Sequence, residues 1–576
     1  MSKKVIIIGG VAGGASAAAR LRRMDEDVEI TIYEKGEYIS FANCGLPYYL
    51  GEVIEERSQL LVQTPASMEA RFNINVCVNM EVININRNKN EIEIRDLNSG
   101  EVKKDKYDYL ILSPGAEAIK PPLQGIDLGN VFTLRNMEDT DKIKTFLDQE
   151  KPARAVVVGG GYIGLEMADN LAERGIQVSV IEMLDQVLNP LDYEMATMIH
   201  YHLRNKGIEL YLSNGLKAIE KNECHHKVIL ENGAEIDTDL VILSIGVKPS
   251  VELAQKAGLK IGSTGGIKVN DYLQTTDQNI FAIGDAIEVT DLVNGNPSLI
   301  PLAGPANKQG RIAANNICGK KDKYKASQGT AIARVFDMTV ATTGINEKQL
   351  KENNIDYKIS YTNSNNHAGY YPGANSMWIK LIFTPEQGKI LGAQIVGYDG
   401  VDKRIDVLAT AINQSMTVYD LQELELAYAP PYGSAKDPVN MAAYVAGNIL
   451  DSLVEVIHWD QIDNLDENTV ILDVREKIEA KFGKIEGSLI IPLNQLRNNL
   501  DKLNKNKEIV IYCAVGLRGY IAYRILKANG FENVKNLAGG YSLYSYVKND
   551  QKEGINSEEE LAISSISNPE EAKEFD

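Results

Sequence analysis

Two glycine-rich turns, each entered from an apolar run and followed by a helical pattern, constrain this chain more than any other feature. In the first, Val5–Ile8 runs into Gly9-Gly10-Val11-Ala12-Gly13-Gly14. In the second, Ala155–Val158 runs into Gly159-Gly160-Gly161-Tyr162-Ile163-Gly164. Glycines at these places let the backbone close on a pyrophosphate while the N–H groups of the next helix point at it. Each turn is followed by a second strand that ends in an acid, Glu34 or Glu182. These acids lie 25 and 23 residues beyond Gly9 and Gly159, near the spacing of a carboxylate that accepts from ribose hydroxyls. The pair predicts an α/β chain with two Rossmann-like dinucleotide-binding domains. A third segment, Thr275 to Gly284-Asp285, reads as a buried strand whose terminal aspartate can hold a ribityl or ribose hydroxyl.

The 576 residues leave room for more than these two domains. The expected layout is a flavin-type domain over 1–115 and 240–320, and a nicotinamide-type domain over 116–239. An α+β dimerisation domain follows over 325–450, then a compact C-terminal α/β domain over 455–548. Residues 549–576 are acid-rich and poor in large apolar side chains, so they are expected to be a disordered tail. The net charge of −19 argues against nucleic acid or a membrane surface as partner. No apolar run approaches the length of a membrane span, and the cytoplasm is the expected location. The five cysteines form no disulfide framework. Cys224-His225-His226 cannot easily converge on one ion, and no metal site is expected.

Two cysteines stand in chemically loaded settings. Cys44 lies in Ser40-Phe-Ala-Asn43-Cys44-Gly-Leu-Pro-Tyr-Tyr49, with no second thiol beside it. One thiol implies that the other sulfur of a disulfide exchange comes from the substrate. The start of a helix and a nearby flavin would both favour its thiolate. This string closely resembles the coenzyme A–disulfide reductases, the single-cysteine branch of the pyridine nucleotide–disulfide oxidoreductases, and the resemblance covers residues 1–450. It implies FAD and NADH as cofactors, NADPH being less favoured because Glu182 would repel a 2′-phosphate. It also implies a homodimer and a mixed disulfide between Cys44 and coenzyme A. In that family paired tyrosines from the partner subunit reach the cysteine. Here they fall on Tyr370 and Tyr428, with Tyr371 and Tyr432 as rivals. Coenzyme A contacts would fall on Ser16, Arg20 and Arg23, which share a helix face, and on Ser40, Asn43 and Arg71. The cofactor set would add Lys35, Ser113, Gly115, Gly246, Ala303 and Ala306 to the turn residues and acids above.

Cys513 opens the loop Cys513-Ala-Val-Gly-Leu-Arg518, entered from a strand and left by a helix. Backbone N–H groups and Arg518 around the sulfur should favour thiolate. The segment resembles a rhodanese sulfurtransferase in Leu472-Asp-Val-Arg-Glu476, Gly483-Lys-Ile-Glu-Gly-Ser488 and Leu537-Ala-Gly-Gly-Tyr541. It departs at Lys484, where that family often has histidine. A phosphatase loop of similar design carries one more residue between cysteine and arginine, so the shorter loop suits sulfane sulfur. Together the two centres imply NADH-dependent reduction of a coenzyme A disulfide, coenzyme A persulfide or polysulfide. The alternatives are a water-forming NADH oxidase, whose first turn typically carries a histidine where Val11-Ala12 stands here, and a non-catalytic sulfur sensor.

Overall fold

A computed structural model describes residues 3–222 and 225–552. Cys224 and residues 553–576, most of the expected tail, lie outside the described residues. The chain divides into two compact units. One comprises 1–184 and 207–329, the other 185–206 and 330–576.

The first unit contains the two predicted dinucleotide folds as parallel five-stranded sheets. In the first, the order is Ile280–Ala282, Tyr109–Leu112, Lys4–Ile8, Glu29–Tyr33, Asn75–Cys77. In the second it is Glu209–Tyr211, Gln177–Ile181, Arg154–Val158, Leu240–Leu243, Val131–Thr133. The central strands read Lys-Val-Ile-Ile-Ile and Arg-Ala-Val-Val-Val, and after the first residue both are buried. Such continuous apolar runs suit strands covered on both faces. Leu240–Leu243 belongs to the second sheet, so the boundary expected at 240 is a few residues early. A strand of four buried apolar residues carries no mark of which sheet it joins.

The two turns are built alike. Gly9 has φ +94°, and a side chain there would overlap the Ser113 carbonyl oxygen at 2.1 Å. Gly159 has φ +105°, and a side chain would meet the Ser244 carbonyl oxygen at 2.3 Å. Both positions therefore require glycine on two independent grounds. The helix Ala12–Met24 then packs on Ala303–Ile317 so closely that a Cβ on Gly310 would lie 2.5 Å from the Gly13 carbonyl oxygen.

The second unit has an antiparallel sheet in the order Ala331–Val335, Met338–Gly344, Ile390–Gly397, Ser376–Phe383, Lys358–Asn365. Helices Val401–Asn413 and Pro438–Leu450 pack on it. Within it Lys380 is wholly buried. Its ammonium lies 2.7 Å from Asp192, bonds Glu194 and Glu347, and faces the Tyr361 ring. The C-terminal domain is a parallel sheet in the order Val456–Ile457, Val534–Leu537, Ile509–Tyr512, Val470–Asp473, Leu489–Ile490.

The tail boundary expected at 549 is corrected by the helix Gly540–Gln551. Asp550 is buried and accepts from Tyr193 at 2.9 Å, from His200 Nδ1 at 2.9 Å and from Arg204 at 2.6 Å. Acid-rich composition pointed to solvent, but this acid is claimed by three donors on the helix Tyr193–Asn205. No helix among the described residues is long and apolar enough to cross a membrane.

Candidate active sites

Each glycine turn is held by the acid predicted for it. Glu34 accepts the Gly10 N–H at 2.9 Å and the Gly36 N–H at 2.9 Å. Glu182 accepts the Gly160 N–H at 2.8 Å and the Leu184 N–H at 2.9 Å. The helices beyond, Ala12–Met24 and Tyr162–Glu173, begin without a side-chain cap and without an acid in the first turn. Their leading N–H groups are thus left for an anion. A Cβ on Gly161 would meet nothing within 4 Å, so the second turn opens onto free space. These features fit two dinucleotides.

The remaining flavin-side positions converge. A Cβ on Gly13 would lie 3.0 Å from Ser113 Oγ, and one on Gly284 would lie 3.8 Å from Ser113 Oγ and 3.9 Å from Ala306 Cβ. Ala303 starts the helix that carries Ala306. Gly115 and Gly246 take positive φ on two paired strand ends. Asp285 pairs with Arg135 at 2.7 Å, and Lys35 pairs with Glu117 at 3.4 Å. Tyr162 and Ile163 open the helix that follows the second glycine turn; burial pushes the Tyr162 phenol up to about 12.

Cys44 is a free, exposed thiol in the short turn Asn43–Gly45, ahead of the one-turn helix Leu46–Leu50. The surrounding protein pushes its pKa up, chiefly by desolvation and then by the Glu166 carboxylate, with Arg135 opposing. The thiolate expected from a helix start is therefore not favoured by the protein alone. A single helical turn carries too few aligned peptides to offset the nearby charge. Glu166, unmarked in the sequence, sits on the helix Tyr162–Glu173. Burial raises its carboxyl to about 7, and Tyr48 hydroxyl donates to it at 3.4 Å.

The proposed coenzyme A positions are dispersed. Ser16 hydrogen-bonds Asn307, and Arg20 Nε donates to Asn315 at 2.8 Å, so both are turned to the neighbouring helix. Arg23 and Arg71 are exposed. Ser40 has φ +44°, and Asn43 Oδ1 is buried without a hydrogen-bond partner.

In the second unit the tyrosine pair is assembled. Tyr370 and Tyr428 hydroxyls lie 2.9 Å apart, and the hydrogen bond raises the Tyr370 phenol. Tyr371 instead lies edge-on to His367. The supporting loops are tied by Arg404, which is 2% exposed. It binds Asp437 at 2.8 Å and the Asn366 carbonyl at 2.7 Å.

Cys513 is buried, and the Gly516 N–H donates to its sulfur at 3.1 Å. The closing Leu537–Tyr541 segment supports this loop. Tyr541 N–H donates to the Cys513 carbonyl at 2.8 Å and Ser542 N–H to that of Ala514 at 3.0 Å. Arg475 bonds Asp473 at 2.7 Å and lies over the rings of Tyr512 and Tyr541. Arg518 makes a two-pronged pair with Glu479, at 2.6 and 2.7 Å. That acid was not anticipated from the sequence.

Residues 3–310 match the family profile described as pyridine nucleotide-disulphide oxidoreductase, 330–438 its dimerisation domain, and 459–546 a rhodanese-like domain. The chain belongs to the pyridine nucleotide-disulphide oxidoreductases. A coenzyme A disulfide reductase of Staphylococcus haemolyticus is 39% identical over 448 residues, covering 78% of this chain and all of that protein. A solved structure titled reduced Bacillus anthracis CoADR-RHD superimposes with TM-score 0.93 at 52% identity, covering 96% of this chain and 99% of the other. An NAD-dependent persulfide reductase from A. fulgidus gives TM-score 0.89 at 42% identity, covering 94% and 99%. Membership carries FAD and a nicotinamide dinucleotide as cofactors. The α/β fold with two dinucleotide domains, a dimerisation domain and a C-terminal rhodanese domain stands as expected.

Proposed function

We propose that this chain uses NADH, through FAD, to reduce coenzyme A disulfide or coenzyme A persulfide at Cys44, while Cys513 handles sulfane sulfur. The observation that carries this is the exposed thiol of Cys44 on the dinucleotide unit, in the same chain as an assembled rhodanese loop. FAD, when bound, supplies the two-electron chemistry that links the nicotinamide to sulfur. Cys44 Sγ attacks one sulfur of the substrate S–S bond. A bond forms between Cys44 and that sulfur, the old bond breaks, and its electron pair leaves on the other sulfur. The Tyr370–Tyr428 pair is suited to donate the proton that a departing thiolate takes up. Its place in a homodimer would supply it to the partner's thiol. Glu182, already fixed by two backbone N–H groups, meets ribose hydroxyls well and a 2′-phosphate badly.

The test is anaerobic dinucleotide oxidation with coenzyme A disulfide, coenzyme A persulfide and polysulfide, comparing NADH with NADPH. Wild type, Cys44→Ser and Cys513→Ser are assayed together. The Cys44 variant is expected to lose turnover on every acceptor, and NADH is expected to be preferred. Full activity of Cys44→Ser would refute the reading.

A further inference from the structure

Arg518 closes the rhodanese loop, where a guanidinium fork is the natural grip for a sulfonate or sulfate-like anion. Here both prongs are taken by Glu479, on the short helical segment Glu479–Phe482. Glu479 is itself fixed by the Glu476 N–H at 2.8 Å, and Arg518 holds its carboxyl below the usual range, so it is ionised near neutrality. The residues flanking this pair are apolar and exposed: Ile478 and Phe482 beside the acid, Leu517 and Ile521 beside the arginine. A dianionic donor would have to break a two-pronged ion pair, face the freed carboxylate and lie on an apolar rim. A monoanionic organic persulfide meets none of these costs and can lay its carbon chain on that rim.

We propose that Glu479 sets the donor class of the rhodanese loop, withholding Arg518 from dianions such as thiosulfate and selecting organic persulfides. This rests on the reading that Cys513 takes up sulfane sulfur. In that step the Cys513 thiolate attacks the outer sulfur of R–S–S⁻. The donor S–S bond breaks, its electron pair leaves as R–S⁻, and Cys513 carries the persulfide. No external oxidant or reductant enters. Selection here works by an unfavourable contact against the wrong donor as much as by a favourable one for the right donor.

The experiment measures sulfur uptake on Cys513 in the full-length holoenzyme, by intact mass, with thiosulfate and with tert-butyl persulfide, a monoanion with an uncharged carbon chain. Wild type is expected to favour the persulfide. In Glu479→Gln the thiosulfate-to-persulfide ratio of rate constants should rise about tenfold, the equivalent of one charge-assisted contact. Glu479→Asp keeps the charge and should stay within about threefold of the wild-type ratio. An unchanged ratio in Glu479→Gln, or equal shifts in both variants, would overturn the role of Glu479 while leaving sulfur uptake intact. If wild type gains sulfur at Cys513 from neither donor, the uptake reading fails and takes this proposal with it. Retained sulfur uptake from the persulfide by both variants confirms that their rhodanese loop is folded.

Discussion

Replacing Lys380 with methionine should destabilise the second unit severely. The side chain is fully buried, and three carboxylates, Asp192, Glu194 and Glu347, converge on its ammonium. Asp192 also accepts from Gln394 at 2.7 Å, and Glu347 from Tyr357 at 2.6 Å, so neither acid is free to turn away. Methionine fills much of the volume, so the loss is electrostatic rather than a cavity. Removing one partner of a buried ion pair typically costs about 3–5 kcal/mol. With a urea slope of about 2 kcal/mol/M, the midpoint should fall by roughly 2 M. Tryptophan fluorescence reports this unit alone, because both tryptophans, Trp378 and Trp459, lie in it. The pH dependence has a defined sign. Lys380 holds the Glu347 carboxyl below its ordinary 4.5, so that contribution is present above 4.5 and lost as pH falls through the folded value. The Lys380 pKa is raised above 10.5, so its own contribution persists up to that value and is lost only as pH rises through the raised one. The deficit of the variant should therefore be widest between these limits and shrink in acid. A midpoint within about 0.3 M of wild type at neutral pH would refute the reasoning. So would a deficit that grows in acid.

Glu166→Gln should lower the pKa of Cys44, because the ionised Glu166 carboxylate opposes the thiolate. In wild type the pH profile of Cys44 alkylation should carry a second inflection near 7, where Glu166 titrates, and the variant should lose it. Since the folded value of Glu166 lies above its ordinary 4.5, its penalty on stability grows as pH rises from 4.5 to about 7. The variant should gain stability relative to wild type above that window and none below it. Gly540→Ala should cripple the sulfur loop. Gly540 has φ +62°, and a Cβ there would lie 2.6 Å from the Cys513 carbonyl oxygen. A cost of about 1–3 kcal/mol is expected, seen as a lower melting temperature together with lost sulfur uptake at Cys513 but retained reduction at Cys44.

Features encoded by local spacing were legible in the sequence. The glycine turns, Glu34 and Glu182 act within one strand–turn–helix unit, and short-range geometry specifies them fully. The Cys513 loop is legible for the same reason. Tyr370 and Tyr428 stand 58 residues apart, and only a resemblance could join them. Glu166 and Glu479 could not be found this way. An acid on a helix or in a loop reads as solvated until another segment buries it, and that segment is distant in the chain. Arg404 is similar, because its burial depends on Asp437 and on the Asn366 carbonyl together. The burial and the Glu166 carboxylate that push the Cys44 thiol up come from segments distant in the chain, so the local string around Cys44 shows only the helix start. Asp550 was lost to composition, which averages over a tail and cannot see one residue that three donors claim.

That last contact has a consequence for how the protein is made. His200 is joined to Asp550 across 350 residues of chain. The Val187 N–H donates to His200 Nε2 at 3.1 Å, so Nδ1 carries the hydrogen that Asp550 accepts. At ordinary translation speeds about 20 to 70 s separate the emergence of these two residues from the ribosome. Throughout that interval the helix Tyr193–Asn205 has Tyr193, His200 and Arg204 ready and no carboxylate to meet them. The chain cannot close this helix's surroundings until Asp550 has been delivered. A ribosome that stops a few codons short of Asp550 would leave behind a protein whose first unit is complete and whose second lacks its final anchor.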